Sequence, residues 1–138
     1  MIDPEYHLVG DLPVKFLPTP EGGRAVLRMS WTTGAFELDP AMWDRINYTH
    51  GGVRQVSRDR FIEHVEAIRA RRLSGEGPVF ALYKVANGIE DVAREEGRPL
   101  RAEEEALVAA LRRQSYELFQ AEHPDPAGQD PELKGPGP

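Results

Sequence analysis

The chain has 138 residues and 15.5 kDa, and its 17 Lys+Arg against 23 Asp+Glu leave a net charge of −6. That length suits one domain, and 40% hydrophobic with 29% charged residues suits a water-soluble chain that closes one core. With no cysteine, no apolar run of the roughly 20 residues a membrane span needs, and no basic-then-apolar leader in MIDPEYHLVG, disulfide scaffolds, thiolate zinc sites, membrane spans and secretory signals are all disfavoured. The expected location is the cytoplasm, with no membrane partner. The 14 Arg against 3 Lys, few Asn and Gln, and 12 Pro fit either a heat-tolerant protein or a GC-rich genome.

The N-terminal third reads as a small antiparallel meander. Leu12, Val14 and Phe16 alternate with Pro13, Lys15 and Leu17, and the run Pro18-Thr19-Pro20-Glu21-Gly22-Gly23 turns the chain. Ala25, Leu27, Met29 and Trp31 then share one side, with Arg24, Val26, Arg28 and Ser30 on the other. Thr33-Gly34 turns again before a third short strand at Phe36 and Leu38.

Asp39-Pro40 predicts a helix start, Asp39 as N-cap, with Met42, Trp43 and Ile46 facing inward. Ser57 caps a second helix whose stripe is Phe61, Val65 and Ile68, widened by Ile62. Arg69, Arg71 and Arg72 fall in its last turn, where the helix dipole favours cations. Residues 78–96 admit a buried strand over 79–83. However, Val79, Leu82, Tyr83, Ala86, Ile89 and Ala93 fall on one side of a helical wheel over a longer span, which favours a single helix. A last helix runs from about Arg101 to Glu122, with a stripe of Leu100, Leu107, Leu111 and Leu118 widened by Val108 and Phe119. The expected fold is therefore α+β: an antiparallel meander and then four helices in a single domain over residues 1–123. The Pro/Gly-rich segment 124–138 reads as a disordered tail.

No catalytic, cofactor or metal constellation emerges from the motifs. His7, His50, His64 and His123 lack the one-turn spacing of a helical ligand pair, and Glu63, His64 and Glu66 diverge around their helix. His50 sits in the glycine-rich Thr49-His50-Gly51-Gly52, which reads more simply as a helix C-cap and turn than as a catalytic loop. Charge, by contrast, is polarised. Residues 51–86 carry seven basic and four acidic groups, whereas residues 87–138 carry six and twelve.

Two sets of residues stand out as binding candidates. Phe80 and Tyr116 fall off the expected core faces of their helices, as aromatic anchors for a protein partner do. Arg54, Arg58 and Arg60 gather near a helix N-terminus, where guanidinium groups and the dipole both favour phosphate. The acidic balance opposes non-specific nucleic-acid affinity. The leading expectation is a non-catalytic regulatory or adaptor protein docking on a larger protein assembly, with an inhibitor of a nucleic-acid enzyme such as RNA polymerase as one form. The alternatives are a nucleic-acid-binding protein using the three arginines, and a structural protein that self-assembles through its long amphipathic helices.

Overall fold

The structure, a computed structural model, describes residues 4–48 and 52–126. Five strands and four helices follow in the order β1 (Glu5–Val9), β2 (Leu12–Pro18), β3 (Arg24–Met29), β4 (Phe36–Leu38), α1 (Met42–Tyr48), β5 (Val53–Val56), α2 (Arg58–Arg72), α3 (Pro78–Glu95) and α4 (Ala102–Glu122). The fold is α+β, with an N-terminal antiparallel sheet followed by helices. Two compact units make up the chain: residues 1–61 with 120–138, and residues 62–119.

The sheet order is β4-β3-β2-β1-β5, antiparallel throughout. It contains two strands beyond the expected meander. In β1, the alternate residues Tyr6 and Leu8 are buried while Glu5, His7 and Val9 are half-buried. The segment 53–56, expected to link two helices, is instead the edge strand β5, paired to β1 with Val9 opposite Val53 and Tyr6 opposite Val56. Four residues with two central polar side chains carry no readable period. Their strand state comes from the long-range pairing.

Central strand β2 is buried on both faces. Leu12, Val14 and Phe16 join Val26 and Met42 in one cluster, with Val9 and Ile46 packed on it. This corrects the expectation that Val26 faces solvent. Lys15 and Leu17 point the other way, beside Leu27 and Ala25 of β3 by register. On that opposite face Phe61, at the start of α2, packs its ring 4.9 Å from Tyr6 and 5.7 Å from Phe36.

Lys15 is buried among these apolar groups. Its Nζ lies 4.3 Å from the centre of the Phe36 ring and 2.9 Å from Asp125 Oδ2, while Gln120 Nε2 donates to Asp125 Oδ1 at 2.9 Å. Asp125 belongs to the segment read from sequence as tail. Composition alone gives no sign that this one carboxylate is held in the interior.

Helix ends follow the expected chemistry in part. The Ser57 hydroxyl accepts from Arg60 N–H at 3.2 Å, so Ser57 caps α2. Ser57→Ala should cost about 1 kcal/mol in a urea melt. Asp39 does not cap α1 with its carboxylate, which instead takes Arg28 Nε at 2.8 Å; only its backbone carbonyl meets Met42 N–H. At the start of α4, Glu104 Oε1 accepts both Arg101 N–H at 2.8 Å and Arg98 Nη1 at 2.7 Å. Those two donors, Arg98 first, hold the Glu104 carboxyl down at about 2.

Residues 78–95 form one continuous helix, as the wheel predicts, with Pro78 in its first turn. Gly88 lies exposed in its interior, where a Cβ would meet nothing within 4 Å, so the helix bears about 1 kcal/mol relative to alanine without relieving any crowding inside the chain. The buried side of α4 is turned roughly a quarter turn from the leucine stripe. It carries Val108, Ser115, Tyr116 and Phe119, while Leu107 is half in solvent.

That rotation is explained by an ion pair. Glu66 and Arg69 on α2 are both fully buried, with Arg69 Nη1 2.8 Å from Glu66 Oε2 and Ser115 Oγ donating to Glu66 Oε1 at 2.6 Å. The Arg69 guanidinium also sits 3.7 Å from the centre of the Phe119 ring. The polar Ser115 is needed inside, so α4 presents it rather than a leucine. Arg69 is thus a core residue and not the dipole-stabilising surface cation its position in the last turn of α2 suggests.

Candidate docking surface

On the α1 side of the sheet, Val9, Asp11, Leu12, Arg28, Trp31, Asp39 and Arg45 line an open depression of about 660 Å³. Each wall has a local origin. Gly10 takes a positive φ of 62° in the tight β1–β2 turn that brings Asp11 to the rim, and a left-handed backbone is strained for any other residue but occasional Asn or Asp. Ser30 builds the turn after β3: its hydroxyl accepts from Thr32 and Thr33 N–H at 3.2 Å, its backbone carbonyl accepts Gly34 N–H, and its N–H donates to Ala35. That turn lifts Trp31 off the strand, leaving it 39% exposed rather than in the core row with Met29.

Helix α1 supplies the remaining wall. Met42 is buried against β2 and β3, and Ile46, one turn on, packs beside it. Trp43 and Arg45 diverge to either side of that seam. Trp43 lays its ring 4.9 Å from Phe16 while staying 41% exposed, and Arg45 turns to the depression. Trp43 was expected inward; a seven-residue helix has room for only one buried row, and Met42 with Ile46 fills it. Both tryptophans of the chain are therefore partly in solvent.

Charges of both signs meet in the depression. Arg28 is paired to Asp39 at 2.8 Å and has Glu37 at 3.9 Å, so one guanidinium is fixed in place. An indole beside fixed guanidinium and carboxylate groups gives stacking area and directional hydrogen bonds at little ordering cost, and tryptophan and arginine are both enriched at protein interfaces. Its lining, among the described residues, holds no histidine, serine or lysine. Among the described residues no three His, Cys, Asp or Glu side chains gather as a metal site, and no helix is long and apolar enough to cross a membrane.

The residues singled out in the sequence lie elsewhere. Tyr116 is fully buried, with Arg69 5.6 Å from its ring, which corrects its reading as a surface anchor. The buried side of α4 is turned about a quarter turn from the leucines, far enough to take in Tyr116. Phe80 is half-buried, edge-on to Tyr83 at 5.6 Å, and the loop before α3 lies against it so closely that a Cβ on Gly75 would come within 2.8 Å of its ring. From the first turn of α3, its ring packs against the α2–α3 loop.

Arg54 is exposed on β5, Arg58 opens α2 half-buried, and Arg60 is exposed in the first turn. Among the described residues neither Arg54 nor Arg60 has a carboxylate within ion-pairing distance. The strand between α1 and α2 rules out a helix-turn-helix there. His50 lies outside the described residues. His7 stands on β1, edge-on to Phe16 at 4.7 Å and 3.3 Å from Glu5 Oε1. Sequence reasoning missed the depression because its seven lining residues come from five separate segments; the one local signal was Trp31 at the end of an alternating strand, immediately before a Thr-Thr-Gly turn.

No family model, curated protein or solved structure matches the chain.

Proposed function

We propose that this is a non-catalytic regulatory or adaptor protein that docks on a larger protein assembly through the depression walled by Trp31 and Arg45. The observation that carries this reading is the lifted, partly exposed Trp31 beside two guanidinium groups, one of them locked to Asp39. Trp31 keeps 39% of its surface in solvent, and tryptophan and arginine are the residue types most enriched among binding hot spots. The net charge of −6 is repelled by nucleic acid and attracted to the basic face of a nucleic-acid enzyme, which makes RNA polymerase the first assembly to test.

The test is affinity capture with immobilised wild type and with Trp31→Ala/Arg45→Glu, in parallel, after nuclease treatment, followed by titration against purified RNA polymerase. Wild type should retain a stoichiometric protein, and the variant should bind it at least about 30-fold more weakly, the loss of one hot spot of about 2 kcal/mol. Equal retention by both proteins removes this surface from the reading.

A second reading rests on Arg54 and Arg60, two exposed guanidinium groups at the edge of the sheet and the start of α2 that have no ion-pair partner among the described residues. It makes nucleic acid the ligand. Capture abolished by nuclease, with affinity that falls steeply as salt rises, selects it over docking on protein.

A further inference from the structure

Helix α3 is two-sided in a way its buried face does not require. Val79, Tyr83, Ala86 and Ala93 form the buried side. Across the helix, Ala81, Val85, Gly88 and Val92 are all exposed, with Val85 at 50% and Val92 at 48%. Their spacing of four, three and four residues is that of a heptad seam, and on a helical wheel they fall within about 60°. Gly88 at the middle of this seam weakens the helix and relieves no crowding within the chain, since a Cβ there would meet nothing within 4 Å. A second helix backbone lying across it gives that glycine a use.

The flanking charges identify what lies there. Lys84 and Asp91, seven residues apart, stand on the same flank of the seam. Lys84 is exposed with no carboxylate in ion-pairing reach among the described residues, whereas the Asp91 carboxylate is partly exposed while it accepts from Arg71 at 3.0 Å and Arg94 at 3.1 Å. If the same helix is laid antiparallel on itself, Val85 packs over the partner's Gly88 and Ala81 over the partner's Val92. In that register Lys84 meets the partner's Asp91, and the two-fold axis repeats the pair. Parallel pairing puts the two flanks on opposite sides of the seam, with Lys84 beside the partner's Ile89, and gains no charge pair.

We infer that the protein forms an antiparallel homodimer through the exposed Ala81–Val85–Gly88–Val92 face of α3, with reciprocal Lys84–Asp91 ion pairs fixing the direction. This contact is distinct from the depression at Trp31 and does not rest on it. Eighteen residues of helix span about 27 Å, and one helix pair covers less than the roughly 800 Å² per partner of a standard interface. The dimer is accordingly weak, with Kd on the order of 10 µM.

Sedimentation velocity on the full chain from about 1 to about 500 µM, bracketing that Kd, tests it. Wild type should shift from monomer to dimer. Lys84→Glu and Asp91→Lys should each dimerise at least tenfold more weakly, because each places like charges together twice. An equimolar mixture of the two should regain wild-type affinity, because the heterodimer restores both opposite-charge pairs. Val85→Glu, which needs no change at Asp91, should be monomeric and should not be rescued by mixing; it decides the matter if Asp91→Lys fails to fold. A wild type that stays monomeric throughout, a dimer indifferent to Lys84→Glu and Val85→Glu, or a mixture of folded variants no tighter than either alone overturns the proposal.

Discussion

Asp125→Ala is expected to destabilise the protein by about 3–5 kcal/mol, and Lys15→Met by clearly less, although the two substitutions break the same ion pair. The asymmetry follows from where the partners sit. Lys15 is in the middle of β2, the central strand, with paired strands on both sides, so its ammonium cannot reach water without opening the sheet. Once Asp125 is gone, the buried ammonium has lost its counterion, and a contact such as that with the Phe36 ring does not replace a carboxylate. Asp125 lies beyond the last turn of α4, and when Lys15 is replaced by an apolar residue of similar length the short segment after Glu122 can turn its carboxylate outward. The double variant Lys15→Met/Asp125→Ala should therefore recover most of the loss from Asp125→Ala. Urea denaturation of the four proteins gives the coupling directly, and equal costs for the two single variants would contradict the account.

Arg69→Met should cost a similar amount at neutral pH, about 3–5 kcal/mol with a fall in Tm of roughly 10 °C or more, and the cost should shrink in acid. Burial is the largest influence on Glu66 and pushes its carboxyl above the usual 4.5, against the lowering effects of Arg69, Ser115 and Tyr83. A carboxyl whose folded value is raised holds more protons in the folded than in the unfolded chain. Its contribution to stability is thus fully present below about 4.5 and is lost as pH rises through the folded value. Removing Arg69 raises that value further. The variant's deficit is therefore greatest when Glu66 is forced to ionise without its counterion, and least when the pH lets it take a proton. Thermal melts of wild type and Arg69→Met between pH 4.5 and 7.5 should converge toward the acid end, whereas Glu66→Gln should abolish the difference in slope. Parallel curves would mean that Arg69 acts through its packing on Phe119 and not through its charge.

What could be read from the sequence was whatever local chemistry decides. The α2 and α3 helices and the central hairpin follow from Ser57 at a cap, Pro78 at a helix start, the Gly22-Gly23 turn and runs long enough to show a period. The rest depends on residues far apart in the chain. Strand β5 exists because β1 has a free edge, and the polarity of its two middle residues says nothing of it. The inner side of α4 was misjudged because periodicity counts leucines, whereas this interior is arranged around Glu66 and Arg69, which require a hydroxyl and two aromatic rings nearby. Tyr116 looked like a surface residue for the same reason. The candidate site was the least legible part, since a charge pair such as Arg28–Asp39 joins positions that only the folded meander brings together.

The link between Lys15 and Asp125 spans 110 positions and nearly the whole described chain. During synthesis, at about 5–20 residues per second, Lys15 is added some 5–20 seconds before its counterion. The nascent meander must therefore keep one side open, with the ammonium wetted, until the segment past α4 emerges. The sheet's interior is sealed by a carboxylate made 110 positions after the lysine it neutralises, so this face sets late, well behind the strands that form it.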